Sequence, residues 1–362
     1  MARVELGSEY DEAITKHAET SASKLGRGVA NIEDQIRAAN QLIAGLRILD
    51  PEQAIKLSNS LDAALRNLVR DILETESNIL AAIRGGSDAG LAANRLLTSF
   101  LMSFASRPAT RERLNLFTTN YDRLIEYGCD LTGLRSLDRF VGTLTPVFRT
   151  SRVDVDVHYN PPGIRGEPRY LDGVIRLTKL HGSLDWKNEE GQIHRFAIPF
   201  GSAADHPDLP NASEQMIIYP NASKDIETSE YPYAELFRDC SAALCRPNSA
   251  LVTYGYGFGD DHINRILRDM LALPSTHLVI ISYDDASGRI PRFLDQVSRE
   301  SQVSLLLGSH FGDLATLTKH YLPQSSADQI SIRSRTRSAE MGDSNVTSSA
   351  QPEAADVTQM RA

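Results

Sequence analysis

The chain has 362 residues, 41% of them hydrophobic, which is enough for one large core or for one core with a helical addition. Its 38 Lys and Arg against 47 Asp and Glu give a net charge of -9, so the overall field repels phosphate backbones and argues against direct nucleic-acid binding. No stretch approaches the roughly 18 apolar residues of a membrane helix, and the N-terminus has no signal-peptide core. A cytoplasmic location without membrane attachment is therefore expected.

Three cysteines are spread through the chain as Cys129, Cys240 and Cys245, and no C-x-x-C pair occurs. So few thiols in a large chain are typical of a protein that folds in a reducing compartment. The sequence therefore predicts no structural zinc, and no metal is expected.

Residues 1–110 are predicted to form a helical region. Between Asn31 and Ser106 apolar residues recur three or four positions apart, which places one stripe of each helix toward a core. The first such stripe comprises Ile32, Ile36, Ala39, Ile43 and Leu46. Pro51 suits a helix start and Gly85-Gly86 suits a helix end, so three or four helices are expected.

From Arg113 onward, short apolar runs alternate with amphipathic stretches. The apolar runs are Leu114 to Phe117, Ile175 to His181, Met216 to Tyr219, Ala250 to Tyr254, His277 to Ser282 and Val303 to Leu307. The amphipathic stretches are Tyr121 to Leu131, Asp260 to Leu273 and Ile290 to Arg299. This alternation predicts an α/β fold over residues 111–324, with a Rossmann-like parallel sheet flanked by helices. Ligands of such sheets bind beyond the carboxyl ends of the strands.

Two further regions are predicted to lack regular structure. Residues 142–215 are rich in Pro, Gly, Asn and charge apart from Ile175 to Trp186, and are expected to form long loops around one central strand. Residues 325–362 contain no aromatic residue and few aliphatic ones. That composition cannot offset the entropy of ordering, so a disordered tail is expected.

The first candidate segment, F-T-T-N-Y-D, runs from Phe117 to Asp122 at the end of a predicted strand. Thr and Asp cap helices well, so a capped helix after a buried strand is one explanation of the pattern. Asn120, however, falls at the strand-to-helix turn where ligands bind, and its amide can orient ribose hydroxyls or a water. Both interpretations stay open on spacing alone.

The second segment, K-L-H-G-S-L-D-W, runs from Lys179 to Trp186 and places His181 at the end of an apolar run. Gly182 permits a sharp turn and the close approach of a ligand. A lone histidine is more often a structural residue than a catalyst. His181 becomes a catalytic candidate because it is predicted to lie at the same carboxyl edge of the sheet as Asn120. This edge is called the rim.

The third segment, Y-G-Y-G-F-G-D-D-H-I-N, runs from Tyr254 to Asn264. Its alternating glycines follow a strand and open a helix, where backbone amides can receive an anion. The spacing matches neither the dinucleotide fingerprint nor the P-loop. Asp260 and Asp261 are also explained as plain partners of the helix dipole.

Together and in this order, the three segments resemble the sirtuin-like NAD-hydrolase family of bacterial defence systems. The resemblance extends from about Leu114 to about Pro323, and is strongest to the subunit that pairs with a HerA-type hexameric translocase. It implies NAD as substrate, a HerA-type ATPase partner and a homo-oligomer, with no metal. It also implies that the chain is an NAD(+) glycohydrolase that depletes NAD when phage infection triggers its assembly.

The resemblance implies two catalytic roles. Asn120 would position the reacting ribose or water, and His181 would be the general base. The Gly255 to Gly259 loop would lie against the adenine-side ribose or the phosphates. The implied cofactor-binding residues are Thr118, Thr119, Asp122, Gly255, Gly257, Phe258 and Asp260. Cleavage of the nicotinamide bond passes through an oxocarbenium-like state, and a neutral imidazole and an amide suit that chemistry.

The sequence departs from the family in its first third. Members begin with a buried strand and a G-A-G-A-S type loop that cradles the pyrophosphate, but none of the residues before Thr118 supplies both. Gly85 to Gly90 has the small residues but follows a helical pattern, so it is expected to be a turn. A chain lacking that strand and loop is expected, which leaves a catalytically weak oligomeric scaffold on the ATPase as the alternative.

Two other activities are disfavoured. Deacylating sirtuins carry a four-cysteine zinc module, which three dispersed cysteines cannot build. Nuclease activity, another possibility within this group, is disfavoured by the acidic charge and by the absence of a clear metal-binding carboxylate cluster in the sequence.

Overall fold

A computed structural model describes residues 6–7, 9–24, 30, 32–107, 112–150, 155–159, 169–203, 206, 215–217 and 231–323. In these residues the chain is a mixed α/β protein, with an N-terminal helical region followed by parallel sheets flanked by helices. This confirms the predicted fold class. The predicted disordered tail at 325–362 lies outside the described residues.

The described part of the helical region contains α1 (Asp11–Lys24), α2 (Ile32–Leu49), α3 (Pro51–Arg84) and α4 (Asp88–Ala105). Helix α1 lies within the predicted helical region, before Asn31, where the periodic apolar pattern begins. Helix α3 begins as predicted at Pro51, where the Asp50 carboxylate accepts a hydrogen bond from Gln53 N at 3.2 Å. It ends as predicted at Gly85, and Gly86 takes the left-handed conformation with φ +66°. Gly85 to Ser87 therefore form the turn that joins α3 to α4, and Gly90 lies in the first turn of α4.

Helices α1, α2 and α3 share one apolar core. The predicted stripe on α2 is buried there at Ile36, Ala39, Ile43 and Leu46, whereas the side chain of Ile32 lies outside the described residues. The first half of α3 contributes Leu57, Leu61 and Leu65 to this core. The second half of α3 packs against the α/β region instead, where Val69 and Leu73 contact Leu184. One helix of 34 residues, about 50 Å long, therefore connects the two cores.

The strands are β1 (Leu114–Thr118), β2 (Arg135–Leu137), β3 (Phe140–Val141), β4 (Val147–Phe148), β5 (His158–Tyr159), β6 (Arg169–Tyr170), β7 (Val174–Lys179), β8 (Gly182–Glu189), β9 (Gln192–Arg195), β10 (Gln215–Ile217), β11 (Ala250–Tyr254), β12 (His277–Ser282) and β13 (Val303–Leu307). The remaining helices are α5 (Leu124–Thr132), α6 (Tyr233–Leu244), α7 (Asp261–Leu271), α8 (Arg289–Asp295), α9 (Ser309–Gly312) and α10 (Leu314–His320), with a 3-10 turn at Glu300–Gln302.

The parallel strands form two sheets of three, with the orders β1-β7-β2 and β11-β12-β13. The ranges of β11, β12 and β13 agree with the sequence prediction. In the described residues the predicted parallel strands divide into these two sheets, and no hydrogen-bonded strand joins β1 to β11. Each sheet has its first strand half-exposed and its middle strand, β7 or β12, mostly buried.

The described residues of 142–215 contain more strand than the sequence predicts. Short strands from this region contribute to an antiparallel sheet with the order β10-β8-β9-β4-β3. Its apolar side chains are few but large, and Phe140, Phe148, Trp186 and Ile193 are all buried in one cluster. The turn between β8 and β9 consists of Glu190 and Gly191 with φ of 51° and 83°, which is the two-residue geometry that hairpins favour. A separate hairpin pairs β5 with β6.

In the part of the chain that the structure describes, the helices are too short or too polar to cross a lipid bilayer.

Candidate functional site

The first two candidate segments lie side by side because β1 and β7 are parallel neighbours. Thr118 pairs with Lys179 in the register of these strands. Beyond the strand ends, Leu180 N donates to the Thr118 carbonyl at 2.8 Å, and Leu184 N donates to the Tyr121 carbonyl at 3.2 Å. The turns that carry Asn120 and His181 therefore occupy the same carboxyl edge of the sheet, as the sequence predicts.

Local hydrogen bonds fix the turn after β1. Thr118 Oγ1 accepts from Asn120 N at 3.1 Å, and Asp122 Oδ1 accepts from Leu124 N at 3.1 Å at the start of α5. Lys179 Nζ donates to the Asp122 carbonyl and to Glu126 Oε1, the latter at 3.1 Å. Asn120 itself is exposed, and its side-chain amide has no partner among the described residues. That amide is free to bind a ligand.

A buried ion pair attaches this turn to the helical region. Arg123 Nη2 lies 2.7 Å from Glu76 Oε2 of α3, and Arg123 N donates to Glu76 Oε1 at 2.8 Å. The other terminal nitrogen of Arg123 donates to the Ile198 carbonyl. Both side chains are almost fully buried. Sequence reasoning missed Glu76 because it lies 47 positions from Arg123 on a helix with no local functional signal.

The third segment forms a compact loop between β11 and α7. Gly255 and Phe258 have positive φ, at 65° and 51°. The Tyr256 hydroxyl lies 3.1 Å from the Asp260 carbonyl oxygen and 2.9 Å from Asn264 Oδ1. Burial raises the pKa of Tyr256 well above its usual value, so the hydroxyl stays protonated and available as a donor. The loop and the start of α7 are therefore held together by hydrogen bonds of the Tyr256 hydroxyl.

Phe258 is placed differently from its predicted role. Its ring is buried in the main core, 4.9 Å from the Phe293 ring by their centroids. Its carbonyl accepts from Asn264 Nδ2 at 3.0 Å. Any contact of Phe258 with a ligand would therefore come from its backbone rather than from its ring.

One contact joins the third segment to the second. His181 Nε2 lies 3.0 Å from Asp260 Oδ2, and both side chains are only 7% exposed. The second carboxylate oxygen, Asp260 Oδ1, caps α7 by accepting from His262 N at 2.9 Å and Ile263 N at 3.3 Å. Asp260 thus performs the predicted helix-capping role and also holds the imidazole. The carboxyl edges of the two parallel sheets meet at this hydrogen bond.

The carboxylate also sets the chemistry of the imidazole. A carboxylate partner at Nε2 favours the tautomer with its proton there, which leaves Nδ1 as the hydrogen-bond acceptor and potential base. Nδ1 has no partner among the described residues. The arrangement of carboxylate, imidazole and a nearby exposed amide suits proton transfer to the imidazole from a bound hydroxyl or water.

The remaining candidates lie on the same rim. Thr118 ends β1 and Thr119 and Asp122 follow it, while Gly255 and Gly257 follow β11. Asp122 Oδ1 accepts the hydrogen bond from Leu124 N at the start of α5, so this oxygen has a structural role. Thr119 is half-buried between Thr118 and Asn120.

A cavity of about 470 Å³ lies elsewhere, between the β1-β7-β2 sheet, the antiparallel sheet and α6. Its wall includes Phe117, Glu126, Lys179, Trp186 and Arg195. None of the candidate residues named from the sequence lines this cavity. Burial raises the pKa of Glu126 within it. The rim that carries Asn120 and His181 is therefore a surface separate from this cavity.

The three cysteines are free thiols. Burial raises the pKa of Cys129 and of Cys240 to about 12. In the described residues no cluster of three His, Cys, Asp or Glu side chains has the arrangement of a metal site.

Comparison with protein families matches residues 114–301 to the SIR2-like domain, a span of just over half of the chain. The chain belongs to the SIR2-like family. The match begins at the first residue of β1 and includes all three candidate segments, whereas helices α1 to α4 lie outside it. SIR2-like domains bind NAD as a substrate, and the carboxyl-edge rim of this SIR2-like chain is where a parallel α/β sheet binds its ligands. A search of curated proteins found no match.

Proposed function

We propose that this SIR2-like chain is an NAD(+) glycohydrolase that cleaves the bond between nicotinamide and ribose. The observation that carries the proposal is the 3.0 Å contact between His181 and Asp260. It brings an oriented imidazole to the rim on which Asn120 presents a free amide. Membership of a family of NAD-dependent enzymes supports NAD as the substrate.

In the proposed reaction the glycosidic bond breaks as nicotinamide leaves with its electron pair, and positive charge develops on the ribose. Asn120 orients a ribose hydroxyl or the attacking water, and His181 Nδ1 accepts the proton that the nucleophile loses. Asp260 stabilises the imidazolium that results. The neutral imidazole with its carboxylate carries a net negative charge, which also stabilises the oxocarbenium-like ribose. With water as nucleophile, the products are ADP-ribose, nicotinamide and a proton.

The test is nicotinamide release from NAD by the purified full-length chain, measured by chromatography with and without a HerA-type ATPase. Wild-type protein should release nicotinamide and His181→Ala should not. His17→Ala is the matched control because His17 is exposed on α1, outside the SIR2-like match. Release that persists in His181→Ala would disprove the assignment of the base.

We further propose that the chain acts in the cytoplasm as the effector subunit of an anti-phage complex, in which homo-oligomers pair with a HerA-type hexameric ATPase. This proposal depends on the resemblance of the three motifs to defence-associated sirtuin-like subunits. Cells that express both proteins should lose NAD after phage infection, while cells that carry His181→Ala should keep it. Unchanged NAD in infected wild-type cells would contradict the effector role.

A second candidate function is that of an oligomeric scaffold with weak catalysis, docked on the same ATPase. The observation that favours it is that Gly85 to Gly90 forms the turn between two helices and the start of α4, with Ser87 as the N-cap. Among the residues described before β1, no glycine loop follows a strand. Calorimetry with NAD separates the two candidates. Clear binding by the wild-type chain supports the enzyme, and absence of binding supports the scaffold.

A further inference from the structure

Arg289 lies beside the glycine loop at the carboxyl edge of the β11-β12-β13 sheet. Gly255 N donates to the Ile281 carbonyl at 3.3 Å, so the loop begins next to the end of β12. Arg289 is the first residue of α8, after the connection that follows β12. A Cβ atom placed on Gly257 would lie 3.3 Å from Arg289 Nη2. Because Gly257 has no side chain, the Arg289 guanidinium can lie close to the loop backbone.

Among the described residues, the Arg289 guanidinium has no carboxylate as a counter-ion. Its Nε is buried and has no hydrogen-bond partner among the described residues, and no described carboxylate forms an ion pair with it. No other arginine in the described ranges has a nitrogen that is both buried and unpartnered. The buried arginines Arg113, Arg123 and Arg139 each pair with a carboxylate. Removing a guanidinium nitrogen from water without a partner is unfavourable, and an anionic ligand would relieve that cost.

Two carboxylates, one at the end of the glycine loop and one in the connection before α8, already have roles in the fold. Asp260 holds His181 and caps α7. Asp284 Oδ1 accepts from Ala286 N at 2.9 Å within the connection from β12 to α8. Neither forms an ion pair with Arg289.

The connection before Arg289 is held in an uncommon backbone conformation. Ala286, Ser287 and Gly288 have successive positive φ values of 54°, 58° and 78°, a region that residues with a side chain rarely adopt. Ser282 Oγ donates to the Asp284 carbonyl at 2.7 Å, and Ile290 is fully buried behind the loop. Strained backbone of this kind persists where the surrounding structure fixes it. It sets the position of Arg289 relative to Gly257.

We infer that Arg289 and the glycine loop form a subsite for the phosphate of a nucleotide. A guanidinium matches the geometry of a phosphate ester, and Gly257 lets that guanidinium lie against the loop backbone. The inference builds on the proposed function, in which the phosphate belongs to NAD. The inference assigns recognition of the phosphate to Arg289, a residue that lies outside the three candidate segments.

The test is calorimetry of the full-length chain with AMP and with adenosine, which differ by the phosphate alone. Wild-type protein should bind AMP at least tenfold more tightly than adenosine. Arg289→Gln should remove this difference and leave adenosine binding unchanged. Arg265→Gln is the matched control, because Arg265 is exposed on α7, and it should preserve the difference.

Gly257→Ala provides a second variant in case Arg289→Gln does not fold. Its added methyl group would shift the guanidinium, so the preference for AMP over adenosine should fall. The inference is overturned if wild-type protein shows no preference for AMP or no measurable AMP binding. It is also overturned if Arg289→Gln keeps the preference, or if that variant, still folded, loses AMP and adenosine binding equally.

Nicotinamide release separates this inference from the proposed function. If AMP binding depends on Arg289 but wild-type protein releases no nicotinamide, the subsite stands and the glycohydrolase proposal fails. If nicotinamide is released while the AMP preference does not depend on Arg289, the subsite fails and the glycohydrolase proposal stands.

Discussion

Asn120 and His181 lie on the same rim but differ in exposure and in hydrogen bonding. Asn120 is exposed with a free amide, whereas His181 is 5% exposed and held by Asp260. An exposed polar side chain without partners contributes little to stability. A buried imidazole that holds a carboxylate contributes to both stability and chemistry. Substitution of Asn120 should therefore separate function from folding more cleanly than substitution of His181.

Asn120→Ala should lower kcat for nicotinamide release by about 100-fold with little change in KM, because the amide is proposed to act on the reacting ribose or water. The unfolding free energy should change by less than about 0.5 kcal/mol, as expected for an exposed position. Steady-state kinetics and urea denaturation measure the two quantities. Asn59→Ala, an exposed position on α3, is the control and should change neither. An unchanged kcat in Asn120→Ala would remove Asn120 from the mechanism.

At the scale of single residues, the sequence predicts which residues lie on the rim better than it predicts which side chains contact each other. Asn120 and His181 were predictable because each directly follows an apolar run, and parallel strands bring such positions to one edge. The contact from His181 to Asp260 joins residues 79 positions apart. Spacing cannot supply such a pair, because it depends on how two separate sheets are placed. Glu76 and Arg289 were missed for the same reason.

At the scale of secondary structure, the pair formed by Glu76 and Arg123 links α3 to the turn after β1. Glu76→Ala should destabilise the protein by about 3 kcal/mol, because it leaves a buried guanidinium without its carboxylate. It should also reduce nicotinamide release, since the Asn120 turn loses its attachment. Urea denaturation and the release assay measure these effects.

Glu74→Ala is the matched control for this prediction. Glu74 lies on the same helix, and its side chain is 59% exposed in a long contact of 4.0 Å with Arg70. Exposed pairs of this kind contribute between about 0 and 1 kcal/mol. If Glu76→Ala were no less stable than Glu74→Ala, the buried pair would not hold the turn.

Apolar runs predicted the parallel strands well because each such strand is a short continuous segment of Val, Ile and Leu between turns. The runs at β11, β12 and β13 agree residue by residue with the structure. The antiparallel strands were missed because β3, β4 and β9 have only two to four residues between polar and glycine-rich turns. Their stability comes from a few large side chains such as Trp186, and periodicity over so few residues carries no signal.

At the scale of the whole molecule, the chain has two cores connected by α3. The helical core lies outside the SIR2-like match, and the α/β core contains the candidate site. Helix α3 contributes to both, and its Glu76 holds the turn that carries Asn120. The separation of the parallel strands into two sheets makes the contact from His181 to Asp260 the structural link between the two halves of the rim.

The reactivity of the three cysteine thiols tests the packing of the whole molecule. At pH 8 a disulfide reagent should modify about one thiol of the native protein rapidly, because only Cys245 is partly exposed. Cys129 and Cys240 should react only in denaturant, since they are buried and their pKa is raised to about 12, which leaves about one part in 10,000 as thiolate at that pH. Cys245→Ser should abolish the rapid phase. Equal reactivity of all three thiols in the native protein would contradict the packing.

The most direct test of the account is a double-mutant cycle between His181 and Asp260, measured as nicotinamide release from NAD. Asn replaces Asp as a helix N-cap at little cost, so Asp260→Asn isolates the contact with the imidazole. The account predicts that Asp260→Asn lowers kcat about tenfold or more in wild-type protein and has almost no further effect in His181→Ala. Equal losses in both backgrounds would show that the two residues act independently, and that the three segments do not form one site.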